Sequence, residues 1–305
     1  MRIVFMGTPD FAVASLKALL ESDFDIVGVI TAPDKPAGRG QKLNESAVKK
    51  FALEHNLKVL QPEKLKNPEF LVELKSLNAD VQIVVAFRML PEVVWNMPPK
   101  GTINLHGSLL PQYRGAAPIN RVIMNGEKQS GVTTFLLKQE IDTGDILFSE
   151  QVDIDDDMTA GQLHDQLMEI GAQLIVKTLR AIESEDYQEQ AQDQLIKIED
   201  LKHAPKLFKE DCLIDWNKTT QEVHNQIRGL SPFPTAYTIF QDKVLKIFES
   251  KKELKSLSIS AGEYVSDGKT FLKFATSDGA INILDVQLEG KKRMNIDDFL
   301  RGTRL

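Results

Sequence analysis

Six short apolar runs, at residues 2–6, 25–30, 58–60, 81–86, 101–105 and 132–137, punctuate the first half of the chain. Stretches with a helical pattern separate the earlier runs. The first is opened by Pro9 and Asp10, with Phe11, Leu16, Leu19 and Leu20 able to share a face; others cover 43–55 and 68–77. Pro in the first turn and Asp near the N-terminus both favour a helix start. Residues 81–86, apolar apart from Gln82, read as a strand covered on both faces. Strands joined through helices must pair in parallel, so this half is expected to form an α/β, doubly wound, mostly parallel sheet of Rossmann-like type.

The pattern changes in the second half. Residues 159–182 form one long amphipathic helix, with Leu163, Leu167, Ile170, Leu174, Thr178 and Ile182 at spacings of three and four and Thr159 as N-cap. The polar stretch SEDYQEQAQDQLIKIED follows. After one short helix at 223–230, brief strands at 235–240, 244–248, 263–265, 270–275 and 280–286 suggest a small barrel or sandwich. The expected division is a larger domain at 1–189, a linker at 190–207 and a smaller C-terminal β-barrel domain at 208–305.

Composition narrows the classes. A single cysteine, Cys212, excludes an intramolecular disulfide framework and a cysteine-based zinc site. No apolar run approaches the ~20 residues of a membrane span, and the opening MRIVFMGTPDF lacks the order of a signal peptide. A cytoplasmic, monomeric protein is the expectation. The net charge of −7 argues against a surface coated for polyanions, but residues 206–305 hold 16 Lys and Arg against 14 Asp and Glu, a local +2. That end could meet RNA; ordinary charge scatter explains it equally well.

Three segments carry chemistry. At the first strand–helix turn, Gly7 stands alone where a dinucleotide fold needs three glycines, and Pro9 removes a donor, so a nicotinamide site is rejected. In Ile103-Asn104-Leu105-His106-Gly107-Ser108-Leu109-Leu110-Pro111, alternation puts Asn104 and His106 on one face of a strand near its carboxyl end. An amide donor beside an imidazole can polarise a carbonyl and handle a proton. Either residue alone could equally be a hydrogen-bonded core group. In Ile141-Asp142-Thr143-Gly144-Asp145, Asp142 follows an apolar strand and would favour a charged His106 if the strand ends are neighbours; a simple Asx turn is the alternative. The segment 33–42, with three cations, two prolines and two glycines, reads as a mobile loop suited to phosphates, or as a plain flexible loop.

At these residues the chain resembles the 10-formyltetrahydrofolate-dependent formyltransferases. Asn-x-His-x-Ser-Leu-Leu-Pro (Asn104 to Pro111), the following Tyr113-Arg114-Gly115-Ala116-Ala117-Pro118-Ile119 and Asp142-Thr143-Gly144 look like the family's signature. The opening Phe5 to Phe11, the loop 33–40, Ile214-Asp215-Trp216 and the run Arg228 to Tyr237 narrow the likeness to the branch that acts on methionyl-tRNA. Two stretches depart from the pattern: Phe87-Arg88-Met89 stands where relatives usually carry a Tyr-Gly pair, and Lys138-Gln139-Glu140 replaces acidic and glycine residues.

The resemblance implies transfer of a formyl group from 10-formyltetrahydrofolate, as co-substrate and without a metal, to the α-amino group of methionine on initiator tRNA. It assigns Asn104, His106 and Asp142 to catalysis, and Ser108, Leu109, Leu110, Pro111, Phe87, Arg88, Met89 and Leu90 to the folate. Lys35, Arg39 and Lys42 would meet tRNA. The C-terminal domain would hold the acceptor arm, with Lys243, Lys246, Lys251, Lys252, Lys291, Lys292 and Arg293 forming a positive face only if the strands gather them. A formyltransferase acting on a sugar-nucleotide amine is the alternative within enzymes; a non-catalytic RNA-binding protein is the alternative outside them.

Overall fold

The computed structural model describes residues 1–37 and 42–303. They divide into two compact units: 1–114, 131–152 and 164–203 make the first, and 115–130, 153–163 and 204–305 the second.

All six apolar runs form strands of one seven-stranded sheet in the first unit. Its order is Ile146–Asp153, Gln129–Leu136, Thr102–His106, Val81–Val85, Arg2–Gly7, Asp25–Ile30 and Val59–Leu60. The five strands from Thr102–His106 to Val59–Leu60 pair in parallel, and Gln129–Leu136 runs antiparallel to Thr102–His106. Val81–Val85 is buried throughout. Its one polar residue, Gln82, is satisfied by the Thr102 hydroxyl, which donates to Gln82 Oε1 at 3.1 Å.

This order decides where a ligand can bind. The chain lays down Arg2–Gly7, moves outward on one side through Asp25–Ile30 to Val59–Leu60, and then returns on the other side with Val81–Val85 and Thr102–His106. The carboxyl ends of Arg2–Gly7 and Val81–Val85 therefore flank the point where strand order reverses, the usual ligand crevice of open α/β sheets. Gly7 ends the first strand for a steric reason: a Cβ there would lie 2.6 Å from Cβ of Ala12 in the helix Asp10–Leu20.

The helix expected over 43–55 starts later, at Ala47–Glu54, capped by Ser46, whose hydroxyl accepts the Lys49 N–H at 3.0 Å. The residues before it are otherwise engaged. Lys42–Asn44 pairs antiparallel with Lys35–Ala37, so the basic segment has a two-stranded stem rather than being loop throughout. Below that stem Asp34 is held by the Lys49 ammonium and by Gln61 Nε2 at 2.8 Å, contacts that keep its carboxyl below the ordinary range. The long helix is Ala160–Glu183, with Leu163, Leu167, Leu174, Thr178 and Ile182 buried as its periodicity requires.

In the second unit an antiparallel sheet runs Ala236–Phe240, Lys243–Glu253, Ala280–Leu288, Leu272–Ala275 and Tyr264–Ser266, with Met294–Asn295 added against Ala280–Leu288. Register shifts around Glu249 mark bulges that bend the longest strand. The barrel-like domain thus takes the form of a curled sheet, or half-barrel. Its core stacks Trp216 on Phe274 at 4.6 Å and encloses Cys212, whose thiol burial pushes up. The helix Thr220–Leu230 carries a capping box between Thr219 and Glu222. Residues 115–130 belong here because their helix, Pro118–Met124, packs on it: a Cβ at Gly229 would meet Met124 Cγ at 2.6 Å. No helix among the described residues is long and apolar enough to cross a membrane.

Candidate active site

Asn104 and His106 lie on Thr102–His106, between a parallel and an antiparallel neighbour, Asn104 opposite Val84 and Phe135. Alternation puts both side chains on one face at the carboxyl end. His106 is 7% exposed, and its Nε2 lies 2.9 Å from the Tyr113 carbonyl. A carbonyl only accepts, so Nε2 carries a hydrogen and the mobile proton belongs to Nδ1. Nδ1 faces Asp142 Oδ2 at 3.9 Å, with the two side chains only 8% and 12% exposed. That is an ion-pair separation, about 1 Å too long for a hydrogen bond. Asn104 is half-buried, and among the described residues no group is hydrogen-bonded to its side-chain amide.

Asp142 reaches this position through a constrained turn. It has φ +55, a left-handed conformation that costs of order 1–3 kcal/mol for a residue other than Gly and that Asp tolerates better than most. Gly144 is sterically required, since a Cβ would stand 1.6 Å from the Leu136 carbonyl oxygen. Gln192, 2% exposed, closes the turn from outside by donating from Nε2 to the carbonyls of Asp142 at 2.9 Å and Gly144 at 2.7 Å. Its Oε1 accepts from Arg114 Nε at 3.0 Å and Nη2 at 2.8 Å. Burial pushes the Arg114 guanidinium down, with Asp142 and Glu140 acting the other way. Neither Gln192 nor Arg114 was singled out for a role by the sequence; Gln192 sits in the polar stretch that reads as linker, and only a long-range contact marks it.

The turn after His106 is held by Thr133. Its hydroxyl donates to the Ser108 carbonyl at 2.7 Å and accepts the Leu110 N–H at 3.1 Å. Ser108 is fully buried with its hydroxyl donating to the Gln112 carbonyl at 2.7 Å; Leu110 and Pro111 are buried and Leu109 is half-buried. Residues 86–91 leave the carboxyl end of Val81–Val85 at the sheet's reversal point. There Met89 is 73% exposed, Leu90 is buried, and Phe87 packs on the core beneath. The Arg88 guanidinium donates to the carbonyls of Pro62 and Glu63. Asn104, His106, Asp142 and the 108–111 turn are thus brought together within the first unit, with 87–90 on the same edge of the sheet.

Lys35 is exposed on the ribbon stem, and Lys42 pairs through its backbone with Ala37; Arg39 lies outside the described residues. In the second unit the pairing splits the basic residues into two groups. Lys243 shares one end of the sheet with the turn bearing Lys291 and Lys292, since the Glu289 N–H donates to the Val244 carbonyl at 2.8 Å. Lys251 pairs opposite Asn282, some eight residues or about 25 Å further along the strand. Lys252 donates to Gln221 at 2.9 Å, and Arg293 to Asp285 at 2.8 Å.

A family model described as formyl transferase matches residues 1–179, and one described as formyl transferase, C-terminal domain, matches residues 206–304. The chain belongs to the formyl transferase family. This formyl transferase is 51% identical over 310 residues to a methionyl-tRNA formyltransferase of Bacteroides fragilis, covering 100% of this chain and 96% of the relative. It is 53% identical over 309 residues to one of Azobacteroides pseudotrichonymphae, covering 99% and 95%. Among solved structures, an N-formyltransferase of Helicobacter canadensis in complex with folinic acid and dTDP-3-aminofucose superposes with a TM-score of 0.69 at 22% identity, over 94% of this formyl transferase and 98% of that chain. At that identity the likeness is one of fold.

Proposed function

We infer that this formyl transferase moves the formyl group of 10-formyltetrahydrofolate to the α-amino group of methionine on initiator tRNA, giving the formylated methionyl-tRNA used to start translation. The observation that carries the chemistry is Nδ1 of His106 facing Asp142 at 3.9 Å, on the strand face that also bears Asn104, whose amide has no hydrogen-bond partner among the described residues. Identity above 50% across the full length of methionyl-tRNA formyltransferases supports the acceptor.

The folate co-substrate supplies an activated formyl carbon when bound. The donor set fits it: an amide with no partner among the described residues and an imidazole suit a carbonyl oxygen that gains negative charge, and the partly exposed Leu109, Phe87 and Met89 offer apolar surface to a flat ring. Arg88 ties the 87–90 segment to the carbonyls of residues 62 and 63. Asn104 Nδ2 and a protonated His106 Nδ1 donate to the formyl oxygen as the amine adds. Asp142 is the counter-charge to the imidazolium and assists removal of the amine's proton; the bond from the formyl carbon to the folate nitrogen then breaks, and that nitrogen takes up the proton as tetrahydrofolate leaves. One such donor is typically worth ~10²–10³ in rate and a positioned acid or base ~10²–10⁴.

Lys35, Arg39 and Lys42 are the contacts we assign to tRNA phosphates, with Lys35 exposed on the ribbon stem. The division into a catalytic region at 1–189, a linker and a tRNA-holding domain at 208–305 goes with this reading, as do a cytoplasmic location and a monomeric state. The test is an acceptor comparison with a labelled formyl donor. Label must appear on charged initiator tRNA; label on a dTDP-amino sugar, or formate released without any acceptor, overturns the reading.

A further inference from the structure

Gln192 uses its whole hydrogen-bonding capacity in one place. Both amide hydrogens go to the carbonyls of Asp142 and Gly144, and the oxygen takes two donors from Arg114. A buried amide that is fully satisfied by groups of two other segments is fixed in position, and so fixes them. The segment that carries it is itself anchored, since Gln190 and Ile146 exchange both backbone hydrogen bonds at 2.9 Å.

These contacts close a ring. The His106 ring donates to the Tyr113 carbonyl; Arg114, the next residue, holds Gln192; Gln192 holds the backbone of Asp142; and the Asp142 carboxylate returns to His106. Two members of the ring, Tyr113 at φ +60 and Asp142 at φ +55, are held in left-handed conformations. Without Gln192 the Asp142 turn loses the donors that satisfy two of its carbonyls, and the carboxylate loses its fixed approach to the imidazole.

We propose that Gln192 is a positioning residue for the reaction, holding the Asp142 carboxylate against His106 through the backbone of the Asp142–Gly144 turn. This rests on the reading of Asp142 as catalytic. Misplacing a reacting group by about 1 Å typically costs ~10²-fold in rate. Gln192→Ala removes both halves of the clasp. Gln192→Glu keeps an acceptor for Arg114 but has no hydrogens for the two carbonyls, which separates holding the fold from holding Asp142.

The experiment measures kcat and KM for formyl donor and for charged initiator tRNA in Gln192→Ala, Gln192→Glu, Asp142→Asn and the Gln192→Glu/Asp142→Asn double variant, with thermal melting of each. The expected result is a fall of about 100-fold in kcat for both Gln192 variants, KM values within threefold of the parent, a parent-like melt for Gln192→Glu, and no further loss when Gln192→Glu is added to Asp142→Asn. A Gln192→Glu enzyme with kcat within threefold of the parent, a loss confined to KM, or a full 100-fold loss on top of Asp142→Asn each overturns the proposal. Near-normal turnover in Asp142→Asn alone instead removes the catalytic reading of Asp142 beneath it.

Discussion

Replacing Asp142 by Asn removes one negative charge and leaves the shape. Asn accepts the left-handed backbone that Asp142 adopts at φ +55 nearly as well as Asp does, so the turn is retained. The charge faces His106 Nδ1 at 3.9 Å, with both side chains almost out of solvent. At an effective dielectric of ~20, two unit charges at that distance attract by about 4 kcal/mol. If the imidazolium is fully developed in the transition state and the Asn dipole replaces little of that attraction, the rate falls by about three powers of ten, at ~1.4 kcal/mol each. That lies inside the ~10²–10⁴ expected of a positioned acid or base. Single-turnover transfer from a labelled formyl donor to charged tRNA reads the chemical step directly. A loss under tenfold in a protein that melts like the parent would refute the counter-charge role. A loss that resides in KM would refute it as well, because the charge is assigned to the transition state and not to substrate binding.

Other outcomes follow from the same geometry. Asn104→Ala should lower kcat by ~10²–10³-fold with little change in either KM, since its amide has no hydrogen-bond partner among the described residues; steady-state kinetics decide. Arg39→Ala should raise KM for tRNA several-fold more than KM for the folate, and tRNA affinity should fall with added salt; a titration with charged tRNA at two salt concentrations checks both. His224 is buried between Asp157 at 3.1 Å and Ser250 at 3.2 Å, and burial first, then Lys252, hold it below its ordinary 6.5 against the pull of Asp157. A histidine kept neutral by the fold contributes stability that is complete above the unfolded value and is lost as pH falls through the folded one. Urea unfolding of the parent should therefore weaken between pH 7.5 and 5.5, and His224→Gln should flatten that slope; an unchanged slope would dismiss the assignment.

What could be read from the sequence was whatever is encoded locally. The run 81–86 announces a strand because burial on both faces demands apolar residues at nearly every position. The pair Asn104 and His106 is legible because alternation forces residues two apart onto one face. The start of the helix Ala47–Glu54 was misjudged because residues 42–44 are recruited by the partner strand Lys35–Ala37, and that pairing overrides a helical pattern. The strand Ile146–Asp153 was not foreseen because at the sheet's edge it carries Ser149, Glu150 and Gln151, and so lacks an apolar signature. The helix Pro118–Met124 hid inside a motif whose residues draw attention as chemistry. Gln192 is the clearest case: one polar residue in the stretch QEQAQDQ has no pattern of its own, and its importance appears only when Arg114 and Asp142 arrive from 78 and 50 residues away.

The central claim is that an amide, an imidazole and a carboxylate act on one formyl group at the edge of the first sheet. A crystal structure of the protein with a 5-formyl folate bound tests it most directly. The account predicts the formyl oxygen within hydrogen-bond distance, about 2.7–3.2 Å, of Asn104 Nδ2 and His106 Nδ1, with the Asp142 carboxylate still beside the ring as its counter-charge. A formyl group lodged beyond the reach of both donors, with the parent protein still active in the same preparation, would contradict it.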